Sequence, residues 1–160
     1  MISGFAPIWT ADCRVLVLGS MPSIKSLEEA QYYAHPRNAF WHIMCELLSG
    51  AYIDDYAARG KMLTDNGIAL WDVCKCCERQ TSADSMIRSE VPNDIAALSK
   101  QMNLSAVLLN GGTAAALYKK HIHLPLPALR LPSTSPAYTL SYESKKEAWR
   151  DALTSVGIIN

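Results

Sequence analysis

Two short segments near the start of the chain concentrate the residue types that could bind a ligand or catalyse a reaction. Residues 15–23 (VLVLGSMPS) are an apolar run that ends in a small polar turn, and residues 33–41 (YAHPRNAFW) crowd polar and aromatic side chains together. The backbone N–H groups of the turn could hold an anion or a carbonyl oxygen. Asn38, at the centre of the second segment, carries an amide that neither packs well in a core nor titrates. The two segments predict the entrance of an active site, with Asn38 as the catalytic residue.

The second segment also has a purely structural interpretation. A helix should follow it, because Phe40 and the apolar residues at 43, 44, 47 and 48 repeat with the spacing of one helix face. Asn38 could then be the N-cap of this helix, with Phe40 and Trp41 in the core. The apolar stripe that begins at Phe40 favours the packing role for that residue. Both roles stay open for Asn38 on this evidence.

The elements that must position these segments follow from the apolar pattern. Short apolar runs at 15–18, 68–73, 106–109 and 128–131 predict four buried strands. Strands that alternate with helices form a parallel sheet covered on both faces. The expected fold is therefore a three-layer α/β/α sandwich around a central four-stranded, mainly parallel sheet. Helices are predicted from a Ser26–Glu29 capping box, from Phe40, and at about 53–65, 93–102, 113–120 and 142–156.

The segments that follow the strands are the expected ligand-binding loops. In an open parallel sheet, ligands bind beyond the carboxyl ends of the strands. The post-strand segments 19–23, 72–77, 110–113 and 132–136 are small, polar and rich in glycine or proline. We expect these four loops to converge on one pocket.

Composition limits the class of protein. A chain of 160 residues with 49% hydrophobic content predicts one domain, residues 1–160, with a single core. It has no apolar run of about eighteen residues and no secretory leader pattern, which predicts a cytoplasmic protein. Five cysteines without a framework spacing indicate reduced thiols. Fifteen acidic and fifteen basic residues cancel, so a nucleic-acid partner would have to be bound by local contacts.

Several reaction classes lack their motifs. Neither G-x-G-x-x-G nor G-x-x-x-x-G-K-[ST] occurs, which disfavours hydrolysis of nucleoside triphosphates. G-x-S-x-G is absent and no histidine falls beside a convincing nucleophile, so a hydrolase triad has no support. Cys74, Cys76 and Cys77 form C-x-C-C, which lacks the paired spacing of a zinc or iron–sulfur site. We interpret these cysteines as structural thiols and expect no metal.

Five motifs together resemble the uracil-DNA glycosylase superfamily, in its order and over most of the chain. They are GSMP after the first strand, YAHPRNAFW, GIALWDVCK on the second strand, LLNGG on the third and LPSTSPA after the fourth. Mismatch-specific uracil glycosylases carry a similar second segment, F-A-H-P-x-N-x-F-W, but an N-P-G first turn. Here Met21 stands where those enzymes place their water-positioning asparagine. The chain is thus more similar to the hypoxanthine-DNA glycosylase branch, whose catalytic asparagine comes from H-P-x-N, and the resemblance implies that this residue is Asn38 here.

The resemblance also implies roles for other residues. Tyr33 would stack on the flipped base, although core packing is its alternative role, and Asp72 would bind the base edge or cap a loop. Asn110, with a donor and an acceptor, suits the carbonyl and ring N–H of hypoxanthine. Base contacts are expected from Gly19, Ser20, Met21, Pro22, Tyr33, Asp72 and Asn110. Backbone or wedge contacts are expected from Ser133, Ser135, Ala137 and Tyr138, with Arg37 and Lys75 as additional phosphate ligands or solvated charges.

The implied activity is that of a monofunctional DNA glycosylase for deaminated bases, chiefly hypoxanthine, in base excision repair. The reaction would need no cofactor, and the partner would be DNA bound by a monomer. A deaminated base can leave if its developing charge is stabilised, so that a positioned water suffices. Uracil removal from mismatches is the nearest alternative. A non-catalytic nucleotide-binding α/β module is a second, and lyase chemistry at Lys75 is the least favoured.

Overall fold

A four-stranded parallel sheet forms the centre of the protein in the computed structural model, which describes residues 1–160. The strands in chain order are β1 (Ile2–Ser3), β2 (Val15–Gly19), β3 (Ile68–Asp72), β4 (Cys74–Glu78), β5 (Arg88–Pro92), β6 (Ala106–Asn110) and β7 (Ala128–Leu131). The helices are α1 (Ile24–Glu29), α2 (Phe40–Ser49), α3 (Tyr56–Asp65), α4 (Ile95–Ser99), α5 (Gly112–His121) and α6 (Tyr142–Ser155). The central sheet has the order β3-β2-β6-β7, and all its neighbouring strands are parallel.

Strands β2, β3 and β6 are buried, as their apolar runs predict, whereas the edge strand β7 exposes Ala128, Leu129 and Arg130, so the prediction of a fourth buried strand is wrong. Alternate residues of β2 point to opposite faces, so Val17 packs with Phe40 and Trp149 while Leu18 packs with Ile95. Helices α2, α3 and α6 cover the first face, and α4 and α5 cover the second. The predicted three-layer sandwich with a four-stranded parallel sheet is confirmed.

Helix starts follow local capping chemistry, with one correction. Ser141 is the N-cap of α6 and accepts a hydrogen bond from the Ser144 N–H. The predicted capping box at Ser26 is wrong, because Ser23 is the N-cap of α1 and accepts from the Ser26 N–H. Ser26 is buried instead, and its hydroxyl oxygen accepts from the Ala34 N–H, which ties α1 to the loop before α2. None of the helices has the length and apolar character needed to cross a bilayer.

A second, antiparallel sheet is present where the sequence predicted a loop at 72–77. Its order is β1-β4-β5, and β4 contains the C-x-C-C motif. The register of β4 against β5 shifts twice, on either side of Cys76, and such irregularities break the two-residue alternation by which a strand is recognised. Cys74 and Cys77 are buried in this strand, and all five cysteines are free thiols.

Candidate active site

One cavity of about 470 Å³ opens at the carboxyl ends of the parallel strands. The loops after β2, β6 and β7 contribute to its wall, together with Asp72 at the end of β3 and the segment before α2. Of the predicted loop 72–77 only Asp72 lines the cavity, because β4 begins at Cys74. Arg37 and Lys75 do not line it. The predicted residues that line it are Gly19, Ser20, Met21, Pro22, Tyr33, Asn38, Asp72, Asn110, Ser133, Ser135, Ala137 and Tyr138.

Gly19 forms the floor of the cavity. A Cβ atom at this position would lie 2.4 Å from Asp72 Oδ1 and 2.7 Å from the Tyr33 hydroxyl oxygen, closer than real Cβ contacts allow. Two polar atoms therefore lie directly over the end of β2, in space that only glycine leaves free. The sequence predicted each of these three residues, and the structure brings them into contact.

Tyr33 is held in an uncommon conformation. Its φ of 53° lies in the left-handed region, which bulky side chains rarely adopt outside sites where the surroundings impose it. The ring packs against Phe40, with 4.4 Å between centroids, so packing and a place in the cavity are combined in one side chain. The buried hydroxyl has no hydrogen-bond partner. Burial, and then the charge of Asp72, raise the pKa of this phenol against the opposing effect of the nearby Asn110 side chain, so the phenol stays neutral.

Asp72 is a buried carboxyl with an unused oxygen. The residue is only 4% exposed, and Oδ2 has no hydrogen-bond partner. Burial and the neighbouring charge of Asp84 raise the pKa of Asp72 to about 7, against the opposing effect of Arg79. The carboxyl therefore titrates near neutral pH, and it lies in the cavity wall with one buried oxygen that no protein group satisfies.

Asn38 lies just before α2, and the oxygen of its side-chain amide already accepts a hydrogen bond. Its Oδ1 accepts the Phe40 N–H at 3.0 Å, and its own backbone N–H donates to the His35 carbonyl at 2.9 Å. The Phe40 N–H can only donate, which assigns the bonded atom as oxygen and leaves Nδ2 free. Ala39, not Asn38, occupies the N-cap position of α2, so the alternative N-cap assignment is wrong in position. Asn38 nevertheless supplies the side-chain bond to the first turn.

Thr134, which the sequence analysis missed, joins three segments of the site. It is fully buried, and its N–H and Oγ1 form a pair of 3.0 Å hydrogen bonds with the amide of Asn110. Its carbonyl accepts the Ala39 N–H at 3.0 Å. Asn110 thus spends one donor and one acceptor on the loop after β7, which leaves one hydrogen and one lone pair for a ligand. The sequence signal that could have located Thr134 is Asn110, because a buried asparagine needs hydrogen-bond partners.

In the loop after β7, two serine hydroxyl oxygens each accept a hydrogen bond from a backbone N–H. Ser133 Oγ accepts the Ser135 N–H, and Ser135 Oγ accepts the Ala137 N–H, at 3.1 and 3.2 Å. Both hydroxyl protons therefore remain to be donated outward. Lys145, on α6, supports this loop by donating to the Ser135 carbonyl at 2.9 Å, and its Nζ lies 5.7 Å from the centre of the exposed Tyr138 ring.

The loop between β4 and β5 supplies a wall of the cavity that the sequence analysis did not predict. Asp84 Oδ1 accepts the Ser20 hydroxyl at 2.8 Å, and Arg79 donates to the Pro22 carbonyl at 2.5 Å. Ser82, Ala83 and Asp84 all line the cavity. This loop could not be placed without the antiparallel pairing of β4 with β5. No group of three or more histidine, cysteine, aspartate or glutamate side chains is arranged to hold a metal ion.

Comparison with known proteins identifies the family. The profile of the uracil DNA glycosylase superfamily matches residues 7–154. The chain belongs to this superfamily. Among its relatives, the hypoxanthine DNA glycosylase of Methanosarcina barkeri strain Fusaro is 32% identical over 151 residues, 93% of this chain and 96% of the relative. The hypoxanthine DNA glycosylase of Methanosarcina acetivorans is 31% identical over 149 residues, with 91% and 94% covered.

The fold agrees with this membership. The solution NMR structure of a Methanosarcina acetivorans protein proposed to be a uracil DNA glycosylase matches with a TM-score of 0.79 and 32% identity. The match covers 95% of this chain and 98% of that one. The chain is a DNA glycosylase, and its substrate is DNA.

The chemical properties of the groups in this cavity can be compared with what hydrolysis of an N-glycosidic bond requires. A base must leave the duplex, enter a pocket and depart with its negative charge stabilised. The neutral phenol of Tyr33 and the carboxyl of Asp72 lie together at the floor, while Asn38 lies in the cavity wall. Tyr33 and Asp72 can contact a base at the floor, and the amide of Asn38 can hydrogen-bond a water molecule at a separate point in the wall.

Proposed function

We propose that this DNA glycosylase removes hypoxanthine by hydrolysing the N-glycosidic bond of a flipped deoxyinosine, the first step of base excision repair. One observation carries the proposal: the cavity contains Asn38, while Met21 occupies the first turn. Met21 is 6% exposed and packs in the apolar cluster on one face of the sheet, and its thioether, a weak acceptor without a donor, is poorly suited to orient water. The names of the two Methanosarcina relatives support the same substrate.

Asn38 is the proposed catalytic residue. Because Phe40 fixes its Oδ1, the free Nδ2 and the second lone pair of Oδ1 can orient one water toward the anomeric carbon. An amide cannot readily accept the proton of that water. The rate should therefore depend on positioning of the water and on stabilisation of the leaving base.

Tyr33 and Asp72 are the proposed base ligands. The Tyr33 ring, supported by Phe40, offers an aromatic surface on which a base can stack. Hypoxanthine presents a carbonyl and an adjacent ring N–H, and the unused oxygen of Asp72 can bond to this edge. The backbone of residues 19–22 completes the contacts, with Ser20 as a polar ligand. Asn110 would contribute mainly by holding Thr134 in place.

The loop after β7 is the proposed contact to the DNA backbone. The free hydroxyl protons of Ser133 and Ser135 match the acceptor oxygens of phosphate. Tyr138, 47% exposed, is a better wedge than Ala137, because it can fill the space that the flipped base vacates. Arg37 and Lys75, outside the cavity, would add charge contacts. With a net charge of zero, the monomer would depend on these local contacts.

A strand-cleavage assay tests the proposed function. Duplexes that carry one inosine, uracil or xanthine are incubated with the protein, and abasic sites are then cleaved with alkali. We expect nicking at inosine, with activity retained in EDTA. Asn38→Ala should lower the single-turnover rate at least a hundredfold. Asn103→Ala, at an exposed turn at the other end of the sheet, is the matched control. Absence of base release from every duplex would favour the non-catalytic module.

Uracil removal from mismatches is the second candidate, because the YAHPRNAFW segment is closely similar to that of the mismatch-specific enzymes. Nicking at uracil alone would move the assignment to this activity. Loss of stability in Asn38→Ala, with activity per folded molecule preserved, would limit Asn38 to its hydrogen bond with Phe40.

A further inference from the structure

We propose that Asp84 is a positioning residue that keeps Asp72 protonated, so that Asp72 binds the flipped base as a neutral carboxylic acid. This inference rests on the proposed function and adds a residue that the superfamily motifs in the chain do not include. Asp84 lies on the loop between β4 and β5, outside all five motifs. Its effect on the base would pass through Asp72.

The first support is the placement of the two carboxyl groups around the end of β2. Asp72 Oδ1 lies over Gly19, and Asp84 Oδ1 accepts the hydroxyl of the next residue, Ser20. Both aspartates line the same cavity. Beyond the effect of burial, a charge on Asp84 disfavours the ionised form of Asp72, because like charges that share a cavity repel each other.

The second support is the difference in hydrogen bonding between the two carboxyl groups. Asp84 accepts a hydrogen bond from Ser20, which favours its ionised form, whereas Oδ2 of Asp72 is buried without a partner. Asp84 also faces the cavity as an exposed residue, while Asp72 is 4% exposed. Asp84 is therefore the group that carries the charge, and Asp72 the group that keeps the proton.

The other groups that act on Asp72 do not compete with this assignment. Phenols and thiols around it remain neutral between pH 5 and 9, because burial raises the pKa of Tyr32, Tyr33 and Tyr56 and raises that of Cys74 to about 12. Burial raises the pKa of Asp84 as well as that of Asp72, while Arg79 opposes this rise at both aspartates and the Ser20 hydroxyl opposes it at Asp84 alone. The charges that face Asp72 are thus Asp84 and Arg79, with opposite effects.

A protonated Asp72 has a specific chemical use. A neutral carboxyl carries one O–H donor and one carbonyl acceptor, which pair side by side with the O6 carbonyl and N1–H of hypoxanthine. The ionised carboxylate could accept the N1–H but would repel O6. The O–H bond to O6 also points at an atom that gains negative charge as the base leaves, while the proton stays on Asp72 throughout.

The pH profile of inosine excision tests the proposal. Single-turnover rates at saturating enzyme are measured from pH 5.5 to 8.5, normalised to folded protein. The wild-type rate should fall above about pH 7. Asp84→Asn, which can still accept from Ser20, should move the midpoint down by about one pH unit, corresponding to about a tenfold lower rate on the alkaline side. Asp84→Glu, which restores the charge, should return the midpoint toward the wild-type value.

Three further variants make the test specific. Asp72→Asn, whose amide offers a donor and an acceptor at every pH, should remove the alkaline decline. Arg79→Gln should move the midpoint upward, opposite to Asp84→Asn. Asp12→Asn makes the same charge change at an exposed turn before β2, at the far end of the sheet, and should leave the profile of the wild type.

The outcomes separate this inference from the proposed function. An unchanged midpoint in Asp84→Asn, or a wild-type rate that rises with pH, would overturn the role of Asp84 while inosine excision still stands. No release of hypoxanthine at any pH would overturn the proposed substrate. If only uracil is released, the same profiles can be measured on uracil, whose N3–H and O4 form an equivalent edge.

Discussion

At the residue scale, the site is defined by polar groups that the protein leaves partly unused. Asn38 has one free amide end, Asp72 has one free oxygen, and the Tyr33 hydroxyl has no partner. Buried polar atoms without partners are costly in a folded protein and are therefore rare. Two such atoms, Asp72 Oδ2 and the Tyr33 hydroxyl, belong to side chains that meet over Gly19 in the cavity, where a ligand can complete their hydrogen bonds.

Tyr33 allows stacking to be separated from hydrogen bonding. Tyr33→Phe keeps the ring and removes the unpartnered hydroxyl, so we expect an excision rate lower by about two- to fivefold, from the loss of one hydrogen bond to the base, and up to about 1 kcal/mol of added stability. Tyr33→Ala removes the stacking surface, which is worth about 1–3 kcal/mol, or about a 5- to 150-fold lower kcat/KM. Steady-state kinetics and thermal unfolding check both. Equal losses in the two variants would assign the effect to the hydroxyl.

Asn38 and Asn110 stood out in the sequence by their own chemistry and position, whereas the roles of Tyr33 and Asp72 came from the resemblance to the superfamily. Asn38 interrupts an aromatic segment, and Asp72 and Asn110 end apolar strands. Thr134 and Asp84 could not be found in this way. Thr134 lies between Ser133 and Ser135, and the motif that contains them predicted a function only for the two serines. The position of Asp84 depends on a strand pairing that the local sequence does not specify.

At the element scale, the four parallel strands were predictable and the antiparallel sheet was not. A strand buried on both faces is a continuous apolar run, as in β2 and β6. By contrast, β1 has two residues and β4 pairs irregularly with β5. The missed sheet positions the loop that carries Asp84, so the error in the fold led directly to the missing residue in the site.

The connections between elements predict a structural role for the Thr134 side chain. Thr134→Val keeps its backbone bonds but removes the partner of Asn110 Nδ2, leaving a buried donor unsatisfied. We expect the free energy of unfolding, measured in urea, to be lower by about 1–3 kcal/mol and the affinity for inosine-containing DNA to be weaker. Thr154→Val removes an exposed hydroxyl bond on α6 and is the control. Equal effects of both variants would contradict a specific role.

At the scale of the whole molecule, Asp72 couples the site to stability. Its pKa of about 7 in the folded protein exceeds the value of about 3.9 for an unfolded aspartate. The folded state therefore binds more protons between these values, and the free energy of unfolding should fall as pH rises from about 4 to 7.

Asp72→Asn should remove this dependence. The variant no longer buries a charge above pH 7, so we expect it to be more stable than the wild type by on the order of 1–3 kcal/mol at pH 8, and by much less at pH 4. Urea denaturation at several pH values measures the difference. Asp12→Asn is the control for net charge. A gain that is the same at every pH would contradict the linkage.

The close contacts over Gly19 also restrict how this enzyme can diversify. Because even a methyl group would collide with Asp72 and Tyr33, the depth of the cavity is set by main chain that is locked into the central sheet. New base preferences can hardly arise by substitution at that point. They are more accessible through the loop between β4 and β5, which belongs to the other sheet and can vary in length and charge without disturbing the parallel strands.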